Sequence, residues 1–517
     1  MNRSKALFTS LFFCVSLSLM AQDDSLGKEA LEKNISKIDV NINNTKEQMK
    51  SIGDASYLAD LYFVLAEFLV EKAKLMYQLK IAQNPNVPVD DLDFTIEKRP
   101  KEEAIGVYET FLEKFPTDSR RDRALFFKAH ELRELGRKED MLQTYRRLSS
   151  EFPKSQYWPE VQLNLGDVYF EEKKNFDLAL EYYKSLEKVS ESEFLPLAYY
   201  RMGWCYINKT EFLAAYKSYE KSILVTNDLK AKNIEIKNEI REQALLAMVW
   251  PYSEIPIKNI DKVHPATTST LEHFRKISFG FDSYQKLLKK LANRMELKKR
   301  YNDAAEIYIE ILAVYTDLEE RLSIMSKLYQ VLRNNIKDVK RSGLAQYFDA
   351  LMSELMSSNA LSSKDKKKYY LGMEKIVRDY SYENHKAQKK SQQFKENAIE
   401  GYQVYVAYFK RTKYSDYIRY NYAGLLFSKG KPFEAAKEYE YLARKKSRKL
   451  KRSWKSLLKS SLEAYLSALG KGSLQLLEKT QARDALRTMG ALYLKKYPKD
   501  SASSSILFNI GQSYYNE

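Results

Sequence analysis

Between residues 104 and 219 the sequence repeats itself. Ala129, Gly166 and Gly203 stand 37 residues apart, and each is followed three positions later by Leu132, Tyr169 or Tyr206. A second series, Ala104, Met141, Ala179 and Ala215, is spaced by 37, 38 and 36, with Tyr108, Tyr145, Tyr183 and Tyr219 four positions after its members. A period of this length suits an antiparallel pair of helices. One pair cannot cover its own apolar face, so such pairs stack and share it. The small residue lets the second helix approach closely, and the large side chain one turn further on fills the seam. Composition agrees. The 517 residues hold only 16 Gly and 12 Pro, about 3% and 2% against usual values of roughly 7% and 5%, which argues against a turn-rich all-β chain. With 44% apolar residues, including 39 Tyr and 24 Phe, the chain can offset the entropy of ordering itself.

A second signature closes the helix pairs. Tyr108-x-x-Phe111-x-x-x-Phe115-Pro116-Thr-Asp-Ser119 is echoed at Tyr145 with Phe152-Pro153-Lys-Ser155 and at Tyr497-Pro498-Lys-Asp-Ser501. Proline cannot extend the preceding helix, and Ser119 with Asp122 has the spacing of a capping box. With the small and aromatic positions, these residues resemble the tetratricopeptide repeat family, and in particular its members in the bacterial cell envelope, such as the periplasmic coordinator of the Tol-Pal system and the outer-membrane assembly lipoproteins. The resemblance implies an all-α, TPR-like α-solenoid, a superhelix of stacked antiparallel helix pairs whose inner face, lined by first helices, binds peptides or helices of other proteins.

The amino terminus has Arg3 and Lys5, an apolar run from Ala6 to Met20, and then Ala21 before Gln22-Asp23-Asp24. The run is too short to span roughly 30 Å of hydrocarbon and ends at a small residue, so residues 1–21 read as a signal peptide. An exported, periplasmic chain is expected, associated with the outer membrane in one version. Cleavage removes Cys14 and leaves Cys205, beside Trp204 and Tyr206, as a packed thiol with no disulfide partner. Along the chain the expected segments are a polar lead-in (22–55), an amino-terminal repeat array (56–228), an irregular junction containing Pro251, Pro256 and Pro265 (229–275), divergent helical repeats (276–395) and a carboxy-terminal array (396–517). The last apolar segment, Ile506 to Tyr514, has the pattern of a first helix with no second helix after it. Either it caps the array, or the native gene product is longer.

No constellation of an enzyme is evident. His130, His264, His273 and His385 are scattered, and Glu134 stands where a zinc-protease helix carries its second His. Gly470-Lys471-Gly472-Ser473 superficially suggests a phosphate loop, but Tyr465 occupies the first glycine position. No catalytic activity, cofactor, metal, nucleic acid or small-molecule substrate is expected. The partners expected are other envelope proteins or peptides.

Carrying the family register across places Phe126, His130 and Arg133 on the inner face from one unit, Leu163, Asp167 and Phe170 from the next, and Tyr200, Trp204 and Ile207 from a third. The carboxylate clamp of eukaryotic cochaperones is not implied there, because Phe126 and His130 replace its Lys and Asn. Lys289 and Asn293 match two clamp positions in the divergent region. A separate alternative is a basic run, Arg444, Lys445, Lys446, Arg448, Lys449, Lys451 and Arg452, continued by Lys455 and Lys459. Interleaved with Leu450, Trp454, Leu457 and Leu458, it is amphipathic and fits an anionic lipid or polysaccharide surface.

Overall fold

The computed structural model describes residues 24–52, 55–236, 239–255, 270–334, 343–446, 450, 453–471 and 474–515. The segment read as a signal peptide lies outside them. The described residues are all helical or connecting, with no strand among them. The chain divides into two compact units, Met1–Ala266 and Thr267–Glu517, and in both each helix packs mainly against its neighbours in sequence. That is the contact pattern of stacked hairpins.

The amino-terminal unit opens with α1 (Asp24–Ser51) and α2 (Ala55–Gln83). Most of the segment expected as a polar lead-in is therefore a long helix. Ile38, Ile42, Thr45 and Met49, spaced by four, three and four, make one narrow stripe that packs on the core, too sparse to stand out among the surrounding charges. After a loop with a short 3-10 turn come α3 (Thr95–Lys114), α4 (Arg121–Glu134), α5 (Lys138–Glu151), α6 (Trp158–Glu171), α7 (Phe176–Ser185), α8 (Leu195–Asn208) and α9 (Phe212–Ala231). The hairpins are α2/α3, α4/α5, α6/α7 and α8/α9, in the register that the 37-residue period predicts.

In the α6/α7 and α8/α9 hairpins the second-helix tyrosine presses on the glycine of the first. A Cβ on Gly166 would fall 2.4 Å from Cε1 of Tyr183, and one on Gly203 2.5 Å from Cε1 of Tyr219. Only glycine permits that approach. Tyr169 fills the same seam, stacked on Tyr182 at 5.4 Å between ring centres.

The turns between hairpins depart from the expected capping box. Helix α4 starts at Arg121, and Ser119 does not cap it. Asp118 holds the turn instead, accepting from the backbone N–H of Arg120 at 2.8 Å, while Asp122 accepts the hydroxyl of Ser155, from the equivalent turn of the next hairpin, at 2.6 Å.

Part of the expected irregular junction continues the array. Two short helices, α10 (Arg241–Ala247) and α11 (Val249–Glu254), both pack on α9 and together act as the next first helix. Pro251, which has no N–H to give to Ala247, interrupts them at Met248. Pro256 and Pro265 lie outside the described residues.

The carboxy-terminal unit comprises α12 (Thr270–Ile277), α13 (Phe281–Leu297), α14 (Tyr301–Val314), α15 (Leu318–Asn334), α16 (Leu344–Ser357), α17 (Ser363–Ala387), α18 (Gln392–Tyr408), α19 (Ser415–Ser428), α20 (Pro432–Lys445), α21 (Trp454–Gly470), α22 (Leu476–Lys496) and α23 (Ser503–Tyr515). Its divergence centres on the 25-residue α17, which contacts α15, α16 and α18. Asn384 and Asn397, both buried, hydrogen-bond across the α17/α18 seam at 3.3 Å. In α23, Ile506 is buried and Ile510 lies against Gly490, whereas Leu507 and Phe508 face outward.

Candidate functional site

The first helices of the amino-terminal unit share one solvent-facing stripe. Each can be counted from one buried residue: Ala66 in α2, Ala129 in α4, Gly166 in α6, Gly203 in α8, with Val249 in that place in α10/α11. The positions six and two before it, and one and five after it, are exposed or half-buried in all five helices. Steps of four, three and four keep them on one side of a 3.6-residue helix. In α2 they are Asp60, Val64, Glu67 and Glu71, and in α4 Arg123, Phe127, His130 and Glu134. Helix α6 supplies Glu160, Asn164, Asp167 and Glu171, and α8 supplies Leu197, Arg201, Trp204 and Asn208. Gln243, Ala247, Trp250 and Glu254 complete it.

This face lies about a third of a turn from the line of residues expected from the sequence. His130, Asp167 and Trp204 do lie on the face. Phe126, Leu163 and Ile207 do not, being 7%, 6% and 7% exposed. Phe126 stacks on Tyr157 at 4.5 Å and so packs between hairpins. Tyr200 and Phe170 are half-buried at the margins, and Arg133 is exposed. The expected positions, three before and four after the small residue, drift toward the neighbouring hairpin. Among the residues missed are those five after it, Glu71, Glu134, Glu171, Asn208 and Glu254, together with Trp250. The carboxylates were legible once the register was known. Trp250 was hidden because its helix begins late, 46 residues after the α8 register.

Lateral contacts tie the stripe together. Arg123 pairs with Glu67 at 2.7 Å, Arg133 donates to the side-chain oxygen of Asn164 at 3.3 Å, and Arg201 pairs with Asp167 at 3.3 Å. The hydroxyl of Tyr183 reaches past Gly166 and donates to Asp167 at 2.5 Å. Burial pushes the Asp167 carboxyl above its ordinary range against the pull of Arg201. Glu171 is raised as well, by burial and then by repulsion from Asp167. At the far end Trp204 and Trp250 meet edge to face at 6.1 Å, Tyr200 lies 6.4 Å from Trp204, and Trp250 is 41% exposed. Amphipathic aromatic rings of this kind are the usual anchors of protein interfaces.

The other candidates are differently placed. Cys205 is fully buried, and burial pushes its thiol up to about 12, so it packs rather than reacts. Lys289 is engaged by Glu320 at 2.7 Å and lies over the Tyr315 ring at 4.8 Å, which takes it out of the clamp pattern.

In the basic run, Arg444 pairs with Glu440 at 2.6 Å, Lys445 with Asp416 at 2.7 Å and Lys459 with Asp500 at 3.1 Å; Lys455 also binds Asp500. Lys446 lies over the ring of Trp454. Leu450, Leu457 and Leu458 are buried, and the Trp454 indole N–H donates to the carbonyl of Ala443. The apolar side expected to meet a lipid thus packs into the protein, because it lines the seam where α21 meets its neighbours. Arg448, Lys449, Lys451 and Arg452 lie outside the described residues. Lys471 reaches the carbonyl of Gly430 at 3.3 Å, and Gly472 and Ser473 are outside the described residues. Among the described residues no group of three or more His, Cys, Asp or Glu is placed to hold a metal, and no helix is long and apolar enough to cross a membrane.

No curated protein matches the sequence. Solved structures with some likeness include BtubC from P. vanneervenii, at 14% identity and TM-score 0.30, covering 48% of this chain and 91% of that one. A tetratricopeptide repeat protein from Parabacteroides merdae shows 14% identity and TM-score 0.26, covering 63% and 98%. The C-terminal part of a TPR repeat-containing protein from Cytophaga hutchinsonii shows 13% identity and TM-score 0.30, covering 67% and 99%. The stretch from 197 to 228, the α8/α9 hairpin, matches the family model described as Tetratricopeptide repeat.

Proposed function

We propose that this chain is a non-catalytic, exported scaffold of the bacterial cell envelope, which holds a segment of another protein against the first-helix face of its amino-terminal unit. The observation that carries the reading is the continuity of that face. Five successive first helices present the same four positions to solvent, ending in the half-buried Trp204 and the exposed Trp250. A face repeated in register offers an extended partner equivalent contacts at each step, as solenoids do. Export is supported by the cationic start, the short apolar run and Ala21 in the sequence.

A photocrosslinking residue at Asn208, on the stripe, is expected to capture a discrete partner in intact cells, and one at the exposed Glu181 on the second helix α7 is not. Adducts from Glu181 alone, or from neither position, would overturn the assignment of the face. Export is checked separately. The mature protein should begin near Gln22, and a full-length chain recovered from the cytoplasm would refute it.

A further inference from the structure

We infer that the segment docked on this face is basic, an extended stretch of another protein bearing Lys or Arg at about every third position. The inference rests on the docking role proposed above and specifies its ligand. The whole chain carries a formal charge of +17, so an acidic surface on it runs against the average. Yet the twenty positions of the stripe hold eight carboxylates and two guanidiniums. The row five after the seam residue reads Glu71, Glu134, Glu171, Asn208 and Glu254. The equivalent places around Ala292 in α13 of the other unit are Lys286, Lys290, Asn293 and Leu297, so the acidic row is a property of this face and not of the repeat.

Spacing sets the form of the ligand. Packed helices stand about 8–10 Å apart, and an extended chain advances about 3.3 Å per residue, so each helix is crossed about every third residue. At the end of the row, the rings of Trp204 and Trp250 offer π-faces to a cation.

A second observation marks the same place as a site. In the α6/α7 hairpin, Tyr183 spends its hydroxyl on Asp167. In the α8/α9 hairpin Trp204 replaces that aspartate. The equivalent Tyr219, 0% exposed and set beneath Tyr200 and Trp204 at 5.6 and 6.3 Å, has a hydroxyl with no hydrogen-bond partner. A buried, unspent donor is costly in a folded protein, and here it lies at the floor of the face, where a ligand carbonyl that parts the two rings would meet it. The sign of the row also turns away nucleic acid and anionic lipid.

The test uses the full chain and three synthetic peptides of about fifteen residues, long enough to cross five helices at about 3.3 Å per residue. They repeat Lys-Ser-Ser, Glu-Ser-Ser or Gly-Ser-Ser. Binding is followed by tryptophan fluorescence and calorimetry. The lysine peptide is expected to bind, and to weaken about tenfold or more in about 1 M salt, where the screening length falls to about 3 Å. It should also weaken about fivefold or more in the Glu134→Gln/Glu171→Gln variant, whose melting curve serves as the folding check. Equal binding of the glutamate peptide, or full affinity in the double variant, overturns the inference. If the glycine peptide binds as well as the lysine peptide and loses that binding in Trp250→Ala, the basic ligand is wrong while the docking face stands. If no peptide binds and crosslinking from Asn208 is empty, both fall.

Discussion

Replacing Gly203 with alanine adds one methyl group to a helix, ordinarily a stabilising change, and here it should weaken the amino-terminal unit. An ideal Cβ at this position stands 2.5, 2.6 and 2.8 Å from three carbons of the Tyr219 ring, whereas relaxed carbon contacts lie at about 3.5–4.0 Å. The ring has no room to retreat, being fully buried between Tyr200 and Trp204. Overpacking of this kind costs about 1–3 kcal/mol, against a gain in helix propensity of about 1 kcal/mol. Gly106, in α3, is the matched control, because a Cβ there meets nothing within 4 Å. Alanine at 106 should show the propensity gain alone, stabilising by about 0.5–1 kcal/mol. The two substitutions should therefore differ by about 1–3 kcal/mol, at about 2–4 °C per kcal/mol for a unit of this size. Urea unfolding followed by circular dichroism and by the nearby tryptophans reads the difference. Gly203→Ala combined with Tyr219→Ala should cost less than the sum of the two singles, because removing the ring removes the clash. A Gly203→Ala protein at least as stable as Gly106→Ala would refute the hairpin register.

Two tyrosines in equivalent places should respond oppositely to loss of their hydroxyls. Tyr183→Phe removes a hydrogen bond to the Asp167 carboxylate and should destabilise by about 1.5–3 kcal/mol, while Tyr219→Phe discards an unpaired hydroxyl and should be neutral or stabilising in a melt. In the other unit, hydrogen bonds from Lys455 and then Tyr493 hold the Asp500 carboxyl well below its ordinary 3.8. The stability it contributes is present above that value and is lost as pH falls through the depressed one. Asp500→Asn should thus lower the melting point at pH 7 and make little difference in strong acid. Burial lowers the pKa of His385, whose ring lies 3.0 Å from the Tyr402 hydroxyl. Below its ordinary 6.5 the unfolded chain binds the proton more readily, so stability should fall as pH drops from neutrality toward 5. His385→Gln should flatten that slope, and an unchanged slope would refute the assignment.

The repeat was legible because it is a matter of local periodicity. The spacing of Ala129, Gly166 and Gly203, and the tyrosine four places after the recurring Ala or Met of each second helix, specify which helices pair and which residues meet, since only a small residue admits a ring at that seam. The extent of the array was less legible. Helix α1 hides its four-residue stripe among charges, and the α10/α11 helix is offset and broken by Pro251, so neither carries the period. The functional face depended on tertiary structure for a different reason. Periodicity places a residue on a helix to within about a third of a turn, and the tilt of one hairpin on the next decides which of two adjacent lines is covered. The stacking of the hairpins buried Phe126, Leu163 and Ile207 and left Phe127, Asn164 and Asn208, each one position further on, half-buried or exposed. Packing likewise turned the leucines of the basic segment inward and gave its described cations carboxylate or aromatic partners. Helix pairing is written in neighbours along the chain. The charge of the exposed face is settled only when the hairpins stack.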